Sequence, residues 1–292
     1  ATGAKTLENF LIHPQGAATR RVGTQFIAEV KSSAAKTRLI PFEFSTVQTY
    51  VLEFGNQYMR VYKDKGQVLS GGAGSSPFEI STPYLTAELF ELKFSQSADI
   101  MYICHPNHAA RKLSRTGHTS WTLTEIDFTD GPYLSENITS TTLTPSGTSG
   151  NVNITASAST FAATDVGRLV SFNSGRAKIT GFTSATVVAA TTQVNFADTS
   201  AKTDWKLGAF SGTTGHPSCV SFFEQRLVFA GTIAEPQTLY FSKSGDYENM
   251  TAGTNADDAM IYTIASNQVN RIRYLKAQRT LIVGTTGGEF TV

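Results

Sequence analysis

Residues 38–62 read RLIPFEFSTVQTYVLEFGNQYMRVY. Arg38–Phe44 alternates in polarity and is rich in β formers. A break at Ser45–Thr46 precedes a second run, Thr49–Phe54, and Gly55–Asn56 supplies a turn into a third, Tyr58–Tyr62. Short β-rich runs separated by hairpin-length gaps predict an antiparallel meander. The same grammar returns three times. Glu91–Ser95 leads into Asp99–Cys104, a loop HPNHAA, and Arg111–Ser114. Cys219–Phe223 leads into Arg226–Ala230, a loop GTIAEPQ, and Thr238–Ser242. Ile272–Leu275 leads into Thr280–Gly284, a turn TTGG, and Glu289–Val292. The central runs align on Val51, Met101, Val228 and Ile282, spaced 50, 127 and 54 residues apart, and setting aside the 77 residues Leu134–Phe210 reduces the middle spacing to 50. A repeat of about 50 residues, each a small antiparallel meander, predicts an all-β, β-propeller-like chain. A sandwich of hairpins is the competing architecture, since strand spacing alone permits it.

The segment Leu134–Phe210 has a different composition, with long runs of Thr, Ser, Ala and Gly. Within it Gly167–Phe172, Arg176–Thr180 and Thr186–Ala190 read as short strands, and Asp204–Leu207 closes it. Their apolar alternation argues against a disordered linker. The expected organisation is therefore 1–133 as the first meander units, 134–210 as a small inserted β domain, and 211–292 as further meander units. Val292 falls inside the last predicted strand, so the chain reads as a portion of a longer protein. Helical periodicity is nearly absent; Leu85–Leu92 and Thr6–Leu11 are the candidates.

Composition agrees with strands and tight turns. Thr and Ser make up roughly a fifth of the 292 residues, Gly contributes 24 and aromatics 11%. Charged residues are 16% and the formal net charge is +1, which argues against a solvated tail or a strongly basic nucleic-acid binder. No apolar run reaches the 18 or so residues of a membrane-spanning helix. Ala1–Phe10 lacks the pattern of a secretory signal. Two cysteines, Cys104 and Cys219, exclude a disulfide framework and leave a single bridge open.

The candidates for chemistry are few. Cys104, His105 and His108 form C-H-x-x-H, but a structural zinc site needs four ligands and no second Cys/His pair lies nearby in sequence. Pro106–Asn107 reads as a turn, so the motif is assigned to a strand-to-loop corner. Gly71–Gly74 lacks the following Lys and helix of a phosphate-binding loop and reads as a hairpin loop. Glu224, Asp246, Glu248, Asp257 and Asp258 are the densest carboxylates, and a glycosidase would need two of them held about 5–9 Å apart. A solvated or capping role is preferred. No G-x-S-x-G elbow occurs. Arg20–Arg21, Arg111–Lys112 with Arg115, and Arg271 with Arg273 are the basic groups, expected to pair with Glu43, Glu53 or Asp99. Asn137, Asn153 and Asn249 match the glycosylation pattern but are discounted without a secretory signal. No catalytic, cofactor-binding or metal-binding residue is assigned.

The stretch NFLIHPQGAATRRVGTQFIAEV, residues 9–30, resembles the start of tail proteins of short-tailed phages and related prophages. Residues 38–62, QSADIMYICHPNHAARKLSRTGHTSWTL and FFEQRLVFAGTIAEPQTLYFSKSGDYEN are similar to the same group, most distinctively in Gln225–Thr232 and Ser242–Tyr247. The family is that of the tail tubular protein B, or tail nozzle protein. The resemblance covers nearly all of the chain, with the insert less well matched. It implies a β-propeller core with inserted domains. Six copies would form a homo-oligomeric ring under the portal and adaptor, in contact with the adaptor protein and tail fibres. The ring would enclose a channel through which double-stranded DNA passes without sequence-specific binding. It implies a virion tail assembled in the bacterial host cytoplasm, with no enzymatic role. A near-neutral chain suits a passage where tight phosphate contacts would hinder sliding. A receptor-binding or glycan-cleaving tail protein is the alternative, resting on the carboxylates from Glu224 to Asp258 and on the Thr-rich insert.

Overall fold

The computed structural model describes residues 3–45, 48–71 and 74–292. The chain is all-β: 47% of it is strand and 1% helical, arranged as several antiparallel sheets and one half-barrel. An N-terminal hairpin pairs β1 (Phe10–Ile12) with β2 (Ala18–Arg20). The first sheet contains β3 (Arg38–Glu43), β4 (Thr49–Gly55), β5 (Tyr58–Lys63), β6 (Gly66–Gln67) and β7 (Glu79–Ser81), the last of which pairs with β5. The second is a meander of β8 (Lys93–Ser97), β9 (Ile100–His105), β10 (His108–Gly117) and β11 (Ser120–Glu125).

A six-stranded sheet follows, formed by β12 (Leu143–Pro145), β13 (Asn151–Ala156), β14 (Leu169–Phe172), β15 (Gly175–Ser184), β16 (Val187–Val194) and β17 (Lys206–Leu207). The chain then returns to meanders. One contains β18 (Cys219–Phe223), β19 (Arg226–Ala230), β20 (Thr238–Phe241) and β21 (Met260–Thr263). The last contains β22 (Ile272–Ala277), β23 (Leu281–Thr285) and β24 (Glu289–Thr291).

The period-2 alternation of strands decides how these sheets pack. In the first sheet Ile40, Phe42, Tyr50, Leu52 and Phe54 point inward, and they share one core with Met101, Ile103, Leu113 and Trp121 of the second. The intervening residues of β9, Tyr102 and Cys104, point the opposite way. They enter a second core with Val220, Leu227, Phe229 and Tyr240. In β19, Leu227 and Phe229 face this core, while Val228 and Ala230 face a third, shared with Ile272, Leu281 and Val283 of the last sheet. Central strands such as β9 and β19 are thus covered on both faces, which is why ADIMYIC and RLVFA read as near-continuous apolar runs. Pro41, which has no N–H to donate, is tolerated because β3 lies at a sheet edge.

The six-stranded sheet has its own core, built on Leu143, Ile154, Val170, Phe172, Ile179 and Val188. A buried Arg168–Asp165 ion pair at 2.9 Å supports it, with the same guanidinium donating to the Gly208 carbonyl at 2.7 Å. Leu134 and Phe210, the end residues of the segment delimited by composition, pack instead against the Tyr102–Phe229 core.

Neither helical candidate is a helix. Leu85–Leu92 forms successive turns, closed by Glu88 N–H to Leu85 O and Glu91 N–H to Glu88 O. So short a segment cannot support the cost of helix nucleation, and Leu89 and Leu92 are buried against the first sheet. In the other candidate, Phe10 and Leu11 lie in β1. The predicted six-residue loop HPNHAA is also shorter than expected: Pro106–Asn107 alone makes the turn, with His105 and His108 paired across it. Among the described residues no helix is long and apolar enough to cross a membrane.

Candidate functional site

The C-H-x-x-H motif is divided by strand geometry. Successive side chains of β9 alternate between faces, so Cys104 and His105 leave the strand in opposite directions. Cys104 enters the core shared with the third meander, and burial pushes its thiol pKa well up. Cys219 is likewise a free, buried thiol raised by burial. Neither is poised as a thiolate nucleophile or ligand.

His105 and His108 face the other side, their ring centroids 5.1 Å apart across the hairpin turn. The turn segment 85–91 brings two carboxylates to them. His108 Nε2–H donates to Glu88 Oε2 at 2.9 Å, and the same oxygen accepts the Leu85 N–H at 2.8 Å. Glu91 Oε2 stands 3.4 Å from His105 Nε2. The ring of Tyr84 meets His108 edge-on, with centroids 5.4 Å apart, and lies 6.4 Å from His105. The His105 side chain is 0% exposed, and among the described residues its Nε2 makes no well-formed hydrogen bond, while Nδ1 accepts the Asn107 N–H at 3.2 Å. Burial lowers the His105 pKa. Desolvation pushes the Glu88 carboxyl up, but the Leu85 N–H and the His108 imidazole outweigh it and hold it below its usual range. Glu88, His105 and His108 can present ligand atoms within 4.8 Å of one another. Sequence reading found the two histidines and missed Glu88, which lies 20 positions before His108 and arrives through tertiary packing.

Of the acidic group from Glu224 to Asp258, Asp257 and Asp258 share the Lys243 ammonium, at 4.0 and 3.0 Å. Glu224 occupies the tip of the β18–β19 hairpin, where it and Gln225 both have positive φ, as a tight two-residue turn demands. Both oxygens of Glu248 bind the Lys112 ammonium at 2.8 Å. Asp258 pairs with Lys243 at 3.0 Å, and the Asn255 N–H and that ammonium hold its carboxyl below the usual range. Arg226, itself buried, donates to the carbonyls of Ser242, Ala256 and Asp258, so this neighbourhood is a pinned loop.

The expected arginine pairs form in part. Arg115 binds Asp99 at 2.8 Å within the second sheet and crosses to the first by stacking on Phe44 and donating to Tyr50 Oη at 3.2 Å. Among the described residues Glu53 has no cationic partner of the kind expected; it is fully buried and accepts from the hydroxyls of Tyr58 and Tyr62. Glu43 engages Gln96 through its backbone. Arg111 pairs with Glu125, and Arg271 donates to the Gly231 carbonyl.

Around the glycine-rich loop, Leu69 and Pro77 bridge as antiparallel partners and Gly71 N–H donates to Ser75 Oγ; Gly72 and Ala73 lie outside the described residues. The Asn137 amide nitrogen is committed to the carbonyls of Thr139, Thr141 and Thr203, which leaves it poorly placed as a glycan acceptor. No family model matches the chain, and no curated protein matches it.

Proposed function

We propose that this chain is a structural subunit of a phage tail nozzle. Copies of it would form a ring around the genome-ejection channel and join the adaptor to the distal tail. The observation that carries the proposal is the face-to-face packing of successive meanders in chain order. The first shares a core with the second, the second with the third and the third with the fourth, and each inner sheet is covered on both faces. Blades of a propeller pack in this way, and such a stack suits a load-bearing shell. The resemblance of residues 9–30, 38–62 and 225–247 to tail nozzle proteins supplies the phage context. The role is architectural and not catalytic. Of the carboxylates on which a glycan-cleaving reading rests, Glu248 and Asp258 are engaged in ion pairs and a turn hydrogen bond. The passage for DNA would be weakly charged, in keeping with a net charge of +1.

Electron microscopy and native mass measurement of the purified protein test this reading. Closed rings of six copies with a central channel are expected. Only monomers under assembly conditions, together with no density for the protein in isolated tails, would overturn it.

A further inference from the structure

We infer that Glu88, His105 and His108 form a binding site for a zinc-class divalent transition metal, with Glu91 available as a fourth ligand. The site lies at the junction of the β9–β10 hairpin and the 85–91 turns, and the inference does not depend on the nozzle reading. Three observations meet there. Two imidazoles and one carboxylate can already bring ligand atoms within 4.8 Å of one another. Tetrahedral zinc with bonds near 2.0–2.1 Å places its ligand atoms about 3.3 Å apart, so small side-chain rotations close the set. His105 supplies the second sign: a fully buried ring whose Nε2 makes no well-formed hydrogen bond among the described residues and has only Glu91 Oε2, 3.4 Å away, beside it. A buried polar atom without a partner is costly, and metal ligation satisfies it. Third, the ligands sit on supported backbone. His105 and His108 are a cross-strand pair on either side of a two-residue turn, and the Leu85 N–H orients the Glu88 carboxylate.

The donor set selects the metal class. Two neutral imidazoles with one or two carboxylates suit zinc, cobalt or nickel, whereas calcium and magnesium favour all-oxygen shells. Coordination at Nε2 moves the His108 ring proton, now shared with Glu88, to Nδ1. It also moves the His105 ring proton to Nδ1, exchanging the 3.2 Å bond from Asn107 N–H for the metal bond. Bound metal would act as a staple. The 85–91 segment is anchored to the first sheet through Leu89, Leu92 and the Arg38 guanidinium, while the histidines belong to the second. A metal at this position ties the two sheets together at one end of their shared core.

The test uses the full chain, stripped with a chelator and titrated with zinc chloride, with bound metal measured by elemental analysis and stability by calorimetry. One zinc per chain is expected, with a rise in melting temperature of roughly 4 °C when free metal exceeds Kd a hundredfold. His108→Ala and Glu88→Gln should each weaken binding at least tenfold while still melting cooperatively. His118→Ala, which removes a histidine outside the site, should bind as the parent does. Cobalt in place of zinc should give the intense visible absorption of tetrahedral coordination. Zinc bound at well under one per chain, or equal affinity in the parent and both site variants, would overturn the inference. Glu88→Gln keeps the decision open to measurement if His108→Ala does not fold.

Discussion

The Lys112 ammonium sits 2.8 Å from both carboxylate oxygens of Glu248, a residue 136 positions further along the chain. Lys112 belongs to β10 of the second sheet, and Glu248 to the loop that follows β20 of the third meander. The Tyr102 hydroxyl also donates to Glu248, at 3.2 Å. This pair fixes two stacked sheets at their rim, outside the apolar core that joins them. Because both side chains keep some solvent contact, Lys112→Met should cost only about 1 kcal/mol. A double-mutant cycle with Glu248→Gln should return a coupling of similar size. A coupling near zero would mean that the ammonium and carboxylate are held by the sheets and do not help to hold them.

Tyrosine hydroxyls donating to carboxylates recur through the molecule: Tyr58 and Tyr62 to Glu53, Tyr133 to Asp130, and Tyr240 to Glu235. Burial, and then the neighbouring carboxylate, pushes each of these phenols above its ordinary pKa. In the unfolded chain the same phenols lose their protons near pH 10. The folded state therefore retains protons that the unfolded state has released. Their contribution to stability is full below about pH 10 and is lost as pH rises beyond it. Urea unfolding should give a shallow fall in stability from about pH 8, where the thiols of Cys104 and Cys219, raised by burial in the folded state, begin to ionise in the unfolded chain, and a steeper fall above about pH 10. Tyr240→Phe should reduce that slope. A flat profile to pH 11 would contradict the assignment.

Phe229 lies at the centre of the core between the second and third meanders, fully buried, with the rings of Phe128 and Phe210 at 5.8 and 5.9 Å. Truncation of a large ring in such a site costs about 3–5 kcal/mol. Phe229→Ala should therefore lower the urea midpoint strongly. Phe182→Ala, at a 40% exposed position in the six-stranded sheet, should change stability by about 1 kcal/mol or less. Equal effects would show that the stacked meanders do not share the buried core assigned to them.

Much of this organisation is legible in the sequence because strands carry their pattern locally. Thr49–Phe54, Arg226–Ala230 and Thr238–Ser242 lie within a residue or so of β4, β19 and β20. The fourth strands of two meanders, β11 and β21, escape notice. SWTLTE and MIYT lie at sheet edges and lack a long apolar run. Leu89 and Leu92 mimic part of a helical stripe because helix spacing and a turn-by-turn descent onto a sheet can bury the same residues, while Leu85 stays exposed. The His105–His108–Glu88 cluster is half legible. The histidine spacing is local, but the carboxylate comes from another element. The adjacent Cys104, which looked like part of the motif, is removed by the alternation of a strand.

The six-stranded sheet provides a sharper test of how the chain is divided. Its two connections run side by side: Leu134 N–H donates to Leu207 O at 2.9 Å, Tyr133 bridges Gly208, and Ala209 N–H donates to Pro132 O at 2.8 Å. Neighbouring antiparallel strands lie about 5 Å apart, a distance that a link of three or four Gly/Ser residues spans easily. Excising Glu136–Lys206 with such a link removes the core built on Leu143, Ile154, Val170 and Ile179 and leaves Leu134, Ala209 and Phe210 in the neighbouring core. Two ion pairs to the rest of the chain, Lys178–Asp127 at 2.8 Å and Arg176–Asp130 at 3.2 Å, are lost with it. The first is well exposed and contributes little, and the second is more buried. The shortened protein should keep a single cooperative transition with a melting temperature within about 5 °C of the parent's main transition. Calorimetry and near-ultraviolet circular dichroism would measure it. Loss of the transition would mean that the stacked meanders depend on the six-stranded sheet for more than these two ion pairs and the hydrogen bonds it makes to Gly208, Gly212 and Thr213.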